Sequence, residues 1–176
     1  HPRLAIWVAL AIPVAFGGMF ILAGGAGISI NVISLFGMII VIGILVDDGI
    51  VIAENIYQHW ERGKEPVQAA IDGTLEVLPA VFSAILTTVI AFSLFFVIDG
   101  VMGDFFVEMG FVVVATLVIS LVEGALILPA HVAHSKALSK KGQKGFWLNI
   151  INWFTKILNG LKNRFYKPIL NFSFRQ

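Results

Sequence analysis

Four stretches of the chain run long enough without charge to cross a lipid bilayer, and they set the reading of everything else. Residues 4–23 carry no charge, with Pro13 inside the run as a candidate kink. Residues 28–46 carry none either, and the apolar pattern resumes at residues 49–53 after Asp47 and Asp48. Residues 77–98 are a third uncharged run, and the fourth extends from about Met109 to Val132, interrupted only by Glu123. A membrane-crossing helix needs about 20 mostly apolar residues, at about 1.5 Å of rise each. The pattern predicts an all-α membrane protein in which residues 1–135 form a four-helix transmembrane segment, with spans at about 4–23, 28–56, 77–98 and 107–132.

The remaining segments are too short or too polar to span. Residues 66–76 read as a short amphipathic lead-in, with Pro66 suited to a first helical turn. A Lys-rich linker occupies residues 136–145. Over residues 146–165, Trp147, Ile150, Phe154, Ile157, Leu161 and Phe165 recur at steps of three and four, while Asn149, Asn152, Lys156, Asn159 and Lys162 take the other face. Such a basic amphipathic helix is expected to lie on the membrane surface; a calmodulin-target helix shares the pattern. Residues 166–176 read as the approach to a further span. The chain begins at His1 with no signal peptide ahead of it, and it reads as an internal piece of a longer protein.

Composition sharpens this picture. Hydrophobic residues make up 58% of the 176 and charged ones 13%, against about 25% charged in soluble domains, which excludes an ordinary soluble enzyme and a disordered tail. There is no cysteine, hence no disulfide framework and no thiolate chemistry. The net charge of +1 hides an asymmetry: all 11 Asp and Glu lie at or before Glu123, while nine of the 12 Lys and Arg lie at or after Lys136. The link at residues 24–27 is uncharged, and that at residues 99–108 holds three acids and no base. Arg3, the link at residues 57–67 and the tail carry every Lys and Arg. The positive-inside rule then places residues 1–3, 57–67 and 133–167 on the cytoplasmic side of the membrane.

Candidate chemistry rests on charges inside the spans. Asp47 and Asp48 lie within the second, where an ionisable group costs about 2.5–3.5 kcal/mol on insertion scales. Low dielectric and mutual repulsion oppose ionising both, so the pair is expected to titrate as a unit, a property suited to taking a proton from one side and losing it to the other. Adjacent helical positions differ by about 100°, so the two carboxylates address different surroundings. Asp47 with Glu54, and Asp48 with Asn55, form a polar strip toward the cytoplasmic end, and small Gly43, Gly49 and Ala53 allow a neighbouring helix to approach. Ionic bridging between helices is the alternative role for the Asp pair, and a polar helix end is the expected role of Glu54 and Asn55. Glu123 has two readings of equal standing, a second proton site or a partner inside the bundle. His131 and His134 have spacing that could seat a metal but no third ligand nearby, so no metal site is assigned. Thr87 and Thr88 are expected to satisfy their hydroxyls on backbone carbonyls. Trp60, Trp147 and Trp153 suit interfacial belts. No phosphate-binding loop, catalytic triad or nucleic-acid patch occurs.

The run from Gly43 through Asp47-Asp48-Gly49 to Glu54-Asn55-Ile56 resembles the fourth transmembrane helix of resistance-nodulation-division transporters, in their hydrophobe/amphiphile, acriflavine-resistance and multidrug branch. Leu78-Pro79-Ala80 through Leu86-Thr87-Thr88 is similar to the family's fifth helix, and Leu128-Pro129-Ala130-His131 to the end of its sixth. The helix from Phe146 resembles the cytoplasmic surface helix that follows. The resemblance covers the chain as spans three to six. It implies a proton-driven inner-membrane efflux pump, a homotrimer without cofactors, powered by the proton-motive force. Asp47 and Asp48 match the family's proton relay, and Glu123 is an accessory intramembrane carboxylate outside it. Relay partners on helices of the second half, and the periplasmic domains that meet adaptor and outer-membrane channel, are implied elsewhere in the polypeptide. Gly49 stands where the family has alanine, a mild departure. The metal-exporting branch has a single Asp followed by Gly, which argues against it here.

Three other functions fit parts of the pattern. An intramembrane aspartyl protease needs two Asp on different helices facing one water, whereas here both are on one helix. A passive scaffold would use the pair as ionic glue. A protein-export relative of the same superfamily also uses a membrane Asp.

Overall fold

The uncharged runs form long helices in a computed structural model, which describes residues 2–138 together with Lys156, Gly160 and Lys162. Apart from those three residues, the linker beyond residue 138, the surface helix expected at residues 146–165 and the segment 166–176 lie outside the described residues. Two units are present, His1–Leu138 and Ser139–Gln176, and the helices below belong to the first.

Helix α1 is Pro2–Ala26 and continues through Pro13. It stops at Gly27, whose φ of 70° lies in the left-handed region open to glycine, and the Ile28 amide donates back to Ala23 O at 3.0 Å. Helix α2, Val32–Glu61, starts from a capping box at Asn31. The Asn31 side-chain oxygen accepts from the amides of Ile33 (2.8 Å) and Ser34 (3.0 Å), and the Ser34 hydroxyl accepts from the Asn31 amide at 2.7 Å. After Gly63, with φ of 96°, helix α3 runs Pro66–Ser93 and tightens into one 3₁₀ turn at Leu94–Phe96. Helix α4 is Val101–Val122, followed by a π-helical turn at Glu123–Ile127 and by helix α5, Leu128–His134.

Helix α2 packs against α3 and α4, and α1 against α4 and α2. The core holds Val41, Ile52, Ile56, Val113, Leu117 and Leu128, all nearly or fully buried. Glycines bring the helices together. A β-carbon on Gly37 would stand 3.1 Å from Met109 Cγ, and one on Gly73 would stand 2.7 Å from Ile56 Cα. In lipid this close approach matters because helices gain little from mutual hydrophobicity and associate largely through packing. The outer surface is apolar, with Val32, Ile21 and Val97 exposed by 82%, 77% and 76%. Among the described residues, four helical stretches are long and apolar enough to cross a membrane, and the fold is that of an all-α membrane protein.

Four boundaries differ from the sequence expectation, the first being the second span, which begins at Val32 and not at residue 28 and runs on through Glu61 into the expected link. The lead-in at residues 66–76 and the third span are one helix that continues through Pro79. The acidic link at residues 99–108 is mostly helical, because α4 begins at Val101, and Asp104 lies in its first turn, where a negative side chain complements the helix dipole. The fourth span is not one regular helix but α4, a π-turn and α5 in sequence. Pro129 supplies the cause. It has no amide to donate, and its ring would press on the carbonyl four residues back. The ladder widens ahead of it, with the Leu128 amide donating to Glu123 O.

Candidate functional site

Asp47 and Asp48 fall in the middle third of α2 and, as the 100° step requires, they diverge. Asp47 is exposed on the surface of the described bundle, whereas Asp48 is half-buried. Asp48 lines a narrow cavity among α2, α3 and α4 together with Leu45, Val81, Ile85, Ser120 and Glu123. Its Oδ2 atom is buried and has no hydrogen-bond partner among the described residues. Gly49 and Gly124 also line this cavity, and a β-carbon on either would press on a neighbour at 3.1 Å, Val8 Cγ1 and Ile52 Cδ1 respectively. The two carboxylates of the pair thus meet different environments, one on the outside of the bundle and one in the cavity that Glu123 also lines.

Glu123 is 5% exposed and belongs to the π-turn. Burial of an ionisable group at that level is rare unless it is paired or neutral, and no ion pair to Glu123 exists among the described residues. The structure therefore joins Asp48 and Glu123, which lie 75 positions apart in the chain, and separates Asp47 from both. Glu54 is exposed, on the outward side of α2 like Asp47.

Asn55 does more than end a helix. Its amide nitrogen donates to Gly73 O at 2.8 Å and to Glu76 Oε2 at 3.2 Å. His59, one turn on, meets the same Glu76 oxygen at 2.5 Å. Lys64 and Asp72 pair at 2.5 Å nearby. This cluster ties the end of α2 to the start of α3. Sequence reasoning missed it, although Asn55 with His59 at i, i+4 and Gly73 with Glu76 at i, i+3 were the available signal. At the opposite end of the bundle, Ser29 donates to Glu108 Oε1 at 3.0 Å and the Asn31 side-chain amide donates to Glu108 Oε2. The first and third links therefore lie side by side.

The other polar residues have local roles. Thr87 and Thr88 donate to Ser83 O (2.8 Å) and Ala84 O (3.1 Å) in their own helix. His134 Nδ1 lies 2.9 Å from Ala130 O, and His131 stacks on Trp7 with ring centroids 4.7 Å apart. A hydrolytic site would need a nucleophile and base in contact. What this arrangement offers is two sequestered carboxyl groups, those of Asp48 and Glu123, lining one cavity between packed helices.

Comparison with known proteins shows the family. A profile of the AcrB/AcrD/AcrF family matches residues 1–176. The multidrug resistance protein MdtC of Photorhabdus laumondii is 35% identical over 143 residues, which is 81% of this chain and 14% of that protein. MdtC of Escherichia coli O139:H28 is 35% identical over 148 residues, 82% of this chain and 14% of its own length. An uncharacterized transporter of Haemophilus influenzae is 33% identical over 139 residues, 79% of this chain and 13% of that protein. The chain thus spans a small part of the length of the relatives it matches. With a family match along its whole length and the aspartate-bearing helix packed in the bundle, the chain belongs to the AcrB/AcrD/AcrF family of resistance-nodulation-division efflux transporters.

Proposed function

We propose that this chain is part of the membrane domain of a proton/substrate antiporter that exports amphiphilic or drug-like compounds across the bacterial inner membrane, with Asp47 and Asp48 as its proton-carrying pair. The observation that carries the reading is Asp48 Oδ2, a carboxylate oxygen buried between helices without a hydrogen-bond partner. Such an atom is costly in its charged form and far less so when protonated. Protonation at Asp48 removes a desolvated charge and weakens its pull on any cation in the bundle, so the packing of α2 against its neighbours changes with each proton taken up. The outward position of Asp47 supports a second half of the site on helices beyond this chain. The energy source is the proton-motive force, with no cofactor. The working unit is a homotrimer, and its cargo passes through periplasmic domains of the same polypeptide to an adaptor and an outer-membrane channel. Residues 1–3, 57–67 and 133–167 face the cytoplasm in this reading, following the distribution of Lys and Arg.

The test uses the full-length transporter in liposomes at equal folded amounts. Substrate-stimulated proton flux is expected in the wild type and absent in Asp48→Asn. Equal flux in both proteins would reduce the pair to helix packing, and the change would then lower thermal stability in detergent without altering transport per folded molecule.

A further inference from the structure

Asp48 and Glu123 line one cavity from two different elements, and Ser120, three residues before Glu123 and so on the same side of its helix, lines it too. The cavity measures about 10 Å³, close to the least that holds one water molecule. Asp48 Oδ2 is buried and has no hydrogen-bond partner among the described residues. Glu123 is 5% exposed, and no ion pair to it exists among them. A single water in this cavity would have Asp48 Oδ2, the Glu123 carboxyl group and the Ser120 hydroxyl as polar partners, the usual complement of a buried water.

Two ionised carboxylates in so small a space would repel each other in a low dielectric with no cation between them. One of the two therefore holds a proton whenever the other is charged. Asp48 is half-buried and adjoins Asp47, which reaches the outside of the bundle. Glu123 is the deeper group, and its second flank is apolar, formed by Trp7, Leu10, Pro13 and Leu128. Burial without a pair costs the charged form most there, so the proton rests on Glu123. Among the described residues, the other titratable groups lining the spaces that Glu123 borders are Asp48 from α2 and His131 from α5, whose ring is stacked on Trp7 of α1; α3 contributes Val81 and Ile85. The backbone holds this arrangement in place. The π-turn widens the chain at Glu123–Ile127, and Gly124 lets Ile52 of α2 come close.

We propose that Glu123 is a positioning residue that stays neutral and hydrogen-bonds, through one water also held by Ser120, to the Asp48 carboxylate. The Glu123 O–H donates to the water oxygen, and the water donates one hydrogen to Asp48 Oδ2 and the other to the Ser120 oxygen. No proton changes owner. A donor supplied to the charged form of a carboxylate favours that form, so the cavity satisfies the otherwise orphaned oxygen when Asp48 has released its proton. This inference rests on Asp48 being a proton-carrying group, and it adds what makes the charged state of that group tolerable between packed helices.

The experiment records substrate-stimulated proton flux against pH for the full-length transporter in liposomes, at equal folded amounts of wild type, Glu123→Leu, Glu123→Gln and Asp48→Asn. Glu123→Leu removes the donor and makes the charged Asp48 harder to form. Its flux profile is expected to move to higher pH by roughly 1–2 units, the equivalent of one hydrogen bond to a charged group. Glu123→Gln supplies a neutral N–H donor in the same place and is expected to restore the wild-type profile. A Glu123→Leu profile equal to the wild type overturns the inference. So does a Glu123→Gln protein that lacks flux or is displaced as far as Glu123→Leu, because the group would then have to ionise. With Asp48→Asn inactive, each of those results leaves the proton-carrying role of Asp48 standing, whereas wild-type flux in Asp48→Asn removes that role and this inference together. Should Glu123→Leu not fold, infrared difference spectra at neutral pH decide. A carbonyl band of a protonated carboxyl group that is lost in Glu123→Gln and shifted in Asp48→Asn supports the inference; absence of the band, or a band that Asp48→Asn leaves in place, overturns it.

Discussion

Gly73 shows how a single residue holds two helices at a fixed distance. A β-carbon there would stand 2.7 Å from Ile56 Cα and 2.8 Å from Ile56 N, both backbone atoms that cannot move aside alone. Gly73→Ala is therefore expected to destabilise the bundle by about 1–3 kcal/mol, the usual cost of overpacking, read as a lower melting temperature in detergent. An unchanged melting temperature would mean that α2 and α3 separate freely. The adjacent Asn55 depends on the same approach, because its amide reaches Gly73 O only while the backbones are close. Asn55→Ala removes that bond and the one to Glu76, and a loss of about 0.6–2 kcal/mol is expected, the range for interhelical hydrogen bonds in membranes. Glycine and asparagine in these places were visible in the sequence as letters. Their roles were not, since nothing in a one-dimensional spacing says that residue 73 lies against residue 56.

At the scale of elements, two local devices decide where helices begin and how they end. Asn31 caps α2 with its oxygen and clasps Glu108 of α4 with its nitrogen. Asn31→Ala removes both functions. It is expected to cost about 1–2 kcal/mol, the upper part of the range for losing an N-cap, whereas Asn31→Ser should keep the cap and lose only the clasp. Thermal unfolding of the three proteins in one detergent separates the two contributions. The second device is the π-turn ahead of Pro129. Pro129→Ala restores an amide donor and permits regular α-helix through residues 123–127. Amide hydrogen exchange across residues 123–128 is then expected to slow, because the ladder regains its i→i−4 bonds. Unchanged exchange there would show that the π-turn persists without the proline. The apolar periodicity that located the spans carries no trace of this widened turn, although Gly124 and Pro129 around it are the residue types that accompany such irregularity.

At the scale of the molecule, residues 2–138 form a bundle with a modest core and an extensive apolar outside. Ile39 and Ile90 are exposed by 68% and 61% in the interior of α2 and α3, surfaces that lipid or further helices cover. Ile90→Lys is expected to add about 2.5–3.5 kcal/mol to insertion and to cut the amount of transporter recovered in membranes. Recovery equal to wild type would place residue 90 beside water. The sequence by itself determined the all-α membrane class, the number of apolar runs and the family, because length without charge is a direct consequence of bilayer thickness and the Asp-Asp helix is a local motif. It also identified Asp47, Asp48 and Glu123 as the charges that need explaining, since each ionisable group inside a span carries an energetic cost wherever it points. Only the tertiary structure decided how those charges divide: Asp48 inward beside Glu123 with an unpartnered oxygen, Asp47 outward. The physical reason is that helical rotation assigns each residue a direction, but which helix lies in that direction depends on glycine contacts, a proline-widened turn and links that meet at the bundle's end, all set by residues far apart in the chain.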